Sequence, residues 1–168
     1  EALAQLHALG VTSVMLTGDN EATAKTIAKQ AGIDDARGNL LPEDKLTAIE
    51  ELQKRYGLTA MAGDGINDAP ALARSDIGFA MGVAGTDTAM EAADVVIMND
   101  DLRRIPEIIV LSHKTQAILW QNITLALGIK AVFLVLALFN GASMWMAVFA
   151  DMGASLLVVF NGLRLLKK

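Results

Sequence analysis

The 168-residue sequence predicts an α/β domain on a mostly parallel sheet, followed by a two-helix transmembrane hairpin. Three observations predict it. Short apolar runs alternate with helical stretches through residues 1–101, the pattern of a parallel sheet with helices on both faces. Two polar loops containing glycine, Thr17-Gly18-Asp19-Asn20 and Gly63-Asp64-Gly65-Ile66-Asn67-Asp68-Ala69-Pro70, each follow an apolar run directly. Two apolar stretches of about 20 residues close the sequence, each long enough to cross a bilayer core.

Taken in order, Leu3, Leu6 and Leu9 make a short amphipathic helix that Gly10 ends. Val11 to Leu16 reads as a buried strand running into Thr17. Ala22 to Ala31 is a helix stopped by Gly32. A second helix starts at Pro42, with Glu43 and Asp44 in its first turn, and runs to Tyr56 before Gly57. Proline at the first position and acids behind it suit a helix N-terminus. Leu58 to Ala62 is the strand before the second polar loop, and Pro70 opens a short helix after it. Ile77 to Met81 and Val95 to Met98 are further strands, with a helix over Thr86 to Ala93 between them.

Charge divides the chain. Residues 1–101 hold 7 Lys/Arg against 17 Asp/Glu, a net −10, and residues 102–168 hold 7 against 2, a net +5. The acidic first part argues against nucleic-acid binding by charge. With no cysteine, no disulfide framework or thiolate metal site arises in these residues. No signal-peptide pattern is present. The sequence opens Glu1-Ala2-Leu3, without Met and already in a helical pattern, and is read as a segment of a longer chain.

In a parallel sheet, ligands bind beyond the carboxyl ends of the strands, so the two polar loops are expected to face one crevice. Lys45, at the start of the intervening helix, can lean into it. Glycines let a ligand approach the backbone closely, and hard carboxylate oxygens suit Mg²⁺ shared with a phosphate. A Thr hydroxyl, backbone N–H groups, a Lys ammonium and Mg-binding Asp are the parts that recognise a phosphoryl group. Taken singly, each loop also reads as a polar turn, and Lys45 as a solvated helix residue.

Together, Thr17-Gly18-Asp19-Asn20, Pro42-Glu43-Asp44-Lys45 and Gly63-Asp64-Gly65-Ile66-Asn67-Asp68-Ala69-Pro70 resemble the phosphorylation domain of P-type ATPases, a haloacid dehalogenase fold. The resemblance covers essentially the whole chain. It implies that Thr17 and Lys45 contact an aspartyl phosphate and that Gly18 offers backbone N–H groups. It places Asp19 near the nucleotide and the interdomain hinge, and makes Asp64 a Mg²⁺ ligand, with Asn67 and Asp68 supporting the site and Asp68 turned towards the same Mg²⁺. ATP and Mg²⁺ are the implied cofactors. The family's phosphorylated aspartate, in an Asp-Lys-Thr-Gly-Thr motif, does not occur in the sequence. The nucleotide-binding domain, the actuator domain and the earlier membrane helices are expected upstream. The segment alone is therefore expected to be inactive, the enzyme being the parent pump.

Residues 102–168 read as a long linker helix and the last two membrane helices. From Glu107 to Phe139 only Gly128 interrupts a helical pattern without proline. Asp100 and Asp101 can cap this helix, which from about Arg103 to Phe139 would be roughly 55 Å long. Spans are expected at about 118–139 and 144–163, joined by a turn at Asn140-Gly141-Ala142-Ser143. Arg103, Arg104 and Lys114 precede the first span, and Arg164, Lys167 and Lys168 follow the second, so both ends of the hairpin are expected in the cytoplasm with the phosphorylation domain. The expected location is the plasma or inner membrane, crossed several times, with the lipid bilayer as partner.

Lys130 and Asp151 are the charges within the spans, each about 15 Å deep by residue count. Such charges mark an ion path or a pair. One reading is a structural salt bridge. The other is that Asp151 binds a transported cation while Lys130 serves as counter-charge, not ligand, when the site is empty. Lys130 and Asp151-Met152-Gly153 are similar to the zinc/cadmium/lead group of heavy-metal P-type ATPases. The copper group carries Tyr-Asn and Met-x-x-Ser-Ser, and Gln121-Asn122 stands here instead of the former. A carboxylate suits Zn²⁺ or Cd²⁺ better than Cu⁺. The resemblance thus implies a Zn²⁺/Cd²⁺/Pb²⁺ exporter. The alternatives are a Cu⁺ pump and a membrane-anchored phosphatase of the same fold.

Overall fold

The computed structural model describes residues 1–83, 85–139 and 143–166. It divides into two compact units, Glu1–Pro106 and Glu107–Lys168.

In the first unit, helix α1 (Ala2–Ala8) ends where the amide of Gly10 reaches the His7 carbonyl and that of Val11 the Leu6 carbonyl, with Gly10 at φ 76°. Those bonds commit Val11 to the helix end, so strand β1 spans only Val14–Leu16 rather than the expected Val11 to Leu16. β1 pairs in parallel with β2 (Asp35–Arg37), a strand the sequence pattern did not announce. Between them runs α2 (Glu21–Ala31), capped by the Asn20 side chain accepting from the Thr23 amide at 2.8 Å and closed by left-handed Gly32. Helix α3 (Pro42–Tyr56) has the predicted bounds, and Asp44 accepts from the Leu41 amide at 2.9 Å to fix its entry.

Strands β3 (Ala60–Gly63), β4 (Ile77–Met81) and β5 (Val95–Ile97) form a parallel ladder in that order. Helix α4 (Ala69–Arg74) follows a single 3₁₀ turn, Ile66–Asp68, and α5 (Asp87–Ala92) is capped by Thr86. The core gathers Ile49 and Met61 with Ala71, Leu72, Ala80 and Ala89. Its alanines let the short helices lie close on the sheet. Ile49 and Leu72, 2% and 1% exposed, are its largest fully buried side chains, each contributing about 2 kcal/mol by burial.

Every strand pair is parallel, as expected, but the strands form two ladders, β1–β2 and β3–β4–β5. A cleft of about 400 Å³ separates them, lined by Val14 and Leu16 of β1, Ala60, Met61 and Ala62 of β3, and Ile49 and Leu52 of α3. Lys45 and Asp68 line it as well.

The second unit is made by α6 (Arg104–Leu138), which begins in the first unit, and α7 (Met144–Gly162), followed by a 3₁₀ turn over Leu163–Leu166. Both helices are long and apolar enough to cross a membrane. Ser143 caps α7 through its hydroxyl. The rest of the predicted turn, Asn140-Gly141-Ala142, and the terminal Lys167 and Lys168 lie outside the described residues. On α6 the shielded positions beyond Val110 are Ile118, Asn122, Ala126, Ile129 and Phe133. On α7 and the turn after it the shielded positions are Ala150, Gly153, Ala154, Val158, Asn161, Gly162 and Leu165, and five of them, Ala150, Ala154, Val158, Asn161 and Leu165, repeat the same spacing. These matching stripes mark the seam between two antiparallel helices.

Candidate functional site

The two polar loops leave the carboxyl ends of β1 and β3, on either side of the cleft. Beyond β1, Thr17 is held by main-chain bonds from its amide to the Arg37 carbonyl and from the Leu40 amide to its own carbonyl. Its hydroxyl donates to Asp19 Oδ2 at 3.0 Å and accepts from the Asp19 amide at 3.1 Å. Gly18 and Asp19 are exposed at the mouth of this loop. Asp19 thus orients Thr17, a relationship not apparent from the sequence.

Beyond β3, Asp68 is 8% exposed, the buried charged residue among the described residues. Its Oδ1 lies 2.7 Å from Lys45 Nζ, and both side chains are largely enclosed. α3 presents Lys45 from its first turns and the 3₁₀ turn brings Asp68 back towards it. Gly63 makes the approach possible: a Cβ there would stand 2.8 Å from Asp68 Cβ and 3.0 Å from its Oδ2. Asp64 and Asn67 are exposed, and neither side chain has a hydrogen-bond partner among the described residues. The Asp64 carbonyl accepts from the Thr86 amide at 3.1 Å, which ties the loop to the cap of α5. Thr86 is a support the sequence reading missed, although its place before a short acidic helix carried an N-cap signal.

The structure therefore pairs Lys45 with Asp68 and Thr17 with Asp19, and leaves Asp64 and Asn67 directed to solvent. No group of three His, Cys, Asp or Glu able to hold a metal occurs among the described residues. The donor chemistry still fits Mg²⁺, which takes one or two protein carboxylates and completes its octahedron with water and phosphate oxygens. Asp64 is the free carboxylate for that role, whereas Asp68 already neutralises Lys45.

A second cluster lies apart from these loops. Asp34 Oδ2 accepts from the Ser13 amide at 2.7 Å, from the Ser13 hydroxyl at 2.9 Å and lies 2.9 Å from His7 Nε2. The Ser13 amide, then its hydroxyl, holds the Asp34 carboxyl below its ordinary pKa. All three contacts converge on one oxygen, so this is a brace between α1 and β2 and not a relay.

In the helical unit, Lys130 Nζ lies 3.4 Å from Asp151 Oδ1. The side chains are 65% and 64% exposed, flanking the seam rather than filling it. The Ser155 hydroxyl bonds the Asp151 carbonyl at 2.9 Å. Trp120 and Trp145, 62% and 73% exposed, stand outward as membrane-interface residues do.

Residues 1–76 match the haloacid dehalogenase-like hydrolase family. The chain is similar to a probable cadmium-transporting ATPase of Listeria monocytogenes, with 53% identity over 164 residues, 97% of this chain and 23% of that protein. It is similar to a zinc/cadmium/lead-transporting P-type ATPase of Escherichia coli (strain K12), 49% identical over 167 residues, covering 99% of this chain and 22% of that one. Among solved structures, a zinc-transporting PIB-type ATPase in the E2·Pi state matches with a TM-score of 0.91 at 48% identity, over 99% of this chain and 27% of the other. The chain thus spans a minor share of the length of each relative.

Proposed function

We propose that this chain, whose residues 1–76 belong to the haloacid dehalogenase-like hydrolase family, is the C-terminal segment of an ATP-driven exporter of Zn²⁺, Cd²⁺ or Pb²⁺. The observation that carries the reading is the occurrence, in one chain, of the enclosed Lys45–Asp68 pair beside the cleft and of the Lys130–Asp151 pair in an apolar hairpin. A phosphatase of the same fold has use for the first pair but none for the second.

Two strand edges line the cleft, so an upstream strand entering there pairs with both. An aspartate at the carboxyl end of that strand arrives between Thr17 and Lys45, where its phosphoryl group forms. The Thr17 hydroxyl, released from Asp19, and the Gly18 amide donate to phosphoryl oxygens. Lys45 neutralises their charge while Asp68 holds the ammonium in place. Asn67 and the exposed Asp19 lie on the solvent side, suited to nucleotide and the neighbouring domain. Asp64 holds Mg²⁺, which when bound spreads the charge of the transferring group. In the membrane Asp151 receives the cation as substrate, and Lys130 neutralises it when no cation is bound, because an isolated carboxylate in hydrocarbon is costly. The basic residues before and after the spans set both hairpin ends on the cytoplasmic side.

The test uses the full-length pump. Zn²⁺ should stimulate formation of a phosphoenzyme from ATP, and Asp151→Ala should remove that stimulation. A variant that retains Zn²⁺-stimulated phosphorylation and transport would exclude Asp151 as the transport site.

A further inference from the structure

Asn161 joins the two membrane helices by a bond set that the charged pair alone does not account for. Its amide nitrogen donates both hydrogens, one to Asn122 Oδ1 at 2.9 Å and one to Gln121 Oε1 at 3.2 Å. Its own Oδ1 accepts from Arg164 Nη1 at 2.9 Å. Asn161 and Asn122 occupy matching places in the two seam stripes, and the bond between them is partly buried.

The rest of the shielded positions are Ile, Ala, Gly, Phe, Val and Leu. In lipid such residues give no hydrophobic drive to one alignment over another, and small ones such as Ala154 slide easily past a neighbour. A polar residue at one seam position fixes register, as a single Asn does in a coiled coil. Lys130 and Asp151 cannot do this as well. Both flank the seam, and a Lys ammonium on its long stem meets a carboxylate from many helix positions. The amide bonds allow one alignment, and that alignment brings Lys130 level with Asp151.

We propose that Asn161, through Asn122 and Gln121, is a positioning residue that sets the register of α6 against α7 and thereby the placement of Asp151 for its cation. The proposal rests on the reading of Asp151 as the transport carboxylate. Asn161 lies ten residues from Asp151, about 15 Å along the helix, too far to share one ion with it.

The experiment compares full-length pumps in lipid vesicles with Zn²⁺ as probe. Asn161→Leu should raise the Zn²⁺ concentration for half-maximal ATPase activity by about three- to tenfold, the scale of an interhelical hydrogen bond in membranes. Half-saturation by ATP should not move, a split that mere loss of folded protein would not produce. Asn122→Leu, which removes one of the two cross-helix bonds, should shift it in the same direction by no more, and the double variant should be no worse than Asn161→Leu, which already removes both. Where Asn161→Leu does not reach the membrane, Asn161→Ala removes the amide without added bulk. Unchanged Zn²⁺ half-saturation in the Asn161 variants, or effects that multiply in the double variant, would overturn the proposal. Asp151→Ala runs alongside. If it is inactive while the Asn161 variants behave as wild type, the positioning role alone has failed. If Asp151→Ala itself transports Zn²⁺ normally, the reading beneath the proposal has failed and the proposal falls with it.

Discussion

Lys45 Nζ and Asp68 Oδ1 meet at 2.7 Å in an enclosed position beside the cleft, so each neutralises the other before any ligand arrives. Removing one partner leaves a largely buried charge alone, at a cost of about 3 kcal/mol. Lys45→Met should therefore open the segment around β3 and α4, and Lys45→Met with Asp68→Leu should recover most of the loss. Hydrogen exchange of residues 60–72 in the full-length protein reads both effects. Phosphoenzyme formation should be absent in each variant, which separates the structural role of the pair from its chemical one.

The glycines at positions 63 and 65 should not be equivalent. A methyl group at Gly63 collides with the Asp68 side chain, whereas at Gly65 its nearest neighbours stand 3.9 Å away. Gly63→Ala should displace Asp68 from Lys45 and lower phosphorylation by about a hundredfold, the scale of a misplaced catalytic group. Gly65→Ala should stay within a few-fold of wild type in the same assay. Equal losses at both positions would show that the Asp68 contact is not what Gly63 serves.

The start of α6 should respond to acid. Arg103 donates to Asp101 through Nε at 2.9 Å and Nη2 at 2.8 Å, and this holds the Asp101 carboxyl at about 2, below its usual 3.8. The folded value is the lower one, so the contribution of the carboxylate is complete above pH 3.8 and is lost as pH falls through about 2. Protection of the Arg103 and Arg104 amides, which bond Asp101, should fall over that window after correction for intrinsic exchange. In Arg103→Gln the loss should begin at higher pH.

The cleft should be covered in the longer protein. Backbone groups of Val14–Leu16 and Ala60–Gly63 that do not bond β2 or β4 should exchange quickly in the isolated segment and slowly in the full-length protein. Equal rates in the two would mean that no strand enters between β1 and β3.

Much of this architecture was legible because it rests on local signals. Pro42 and Gly57 bound α3, and the scarcity of helix breakers from Glu107 onward marked α6. β2 was not legible: Asp35-Ala36-Arg37 has no strand propensity and is extended only because it pairs with β1 beside the Asp34–Ser13 brace. β3 begins later than its apolar run because Leu58 is 91% exposed and the Thr59 amide is taken by Asp76. The site was legible as a set of residue types at fixed places. Its internal pairing was not, since nothing in local sequence says that Lys45 meets Asp68, that Thr17 meets Asp19, or that Asn161 reaches across to Asn122. Strand order is likewise a tertiary property, so the division into two ladders emerged only with the structure.

That division also bears on the order in which the domain can form. β1–α2–β2 and β3–α4–β4–α5–β5 each close their ladders between neighbours near in sequence, through short connections whose closure entropy is small. These halves can fold early and separately. A strand entering between them, as the proposed function has it, would unite them in a long-range step with a slow barrier. On the proposed function, the phosphorylated aspartate would be seated by that last folding event, so a partly folded chain would hold no phosphoryl site.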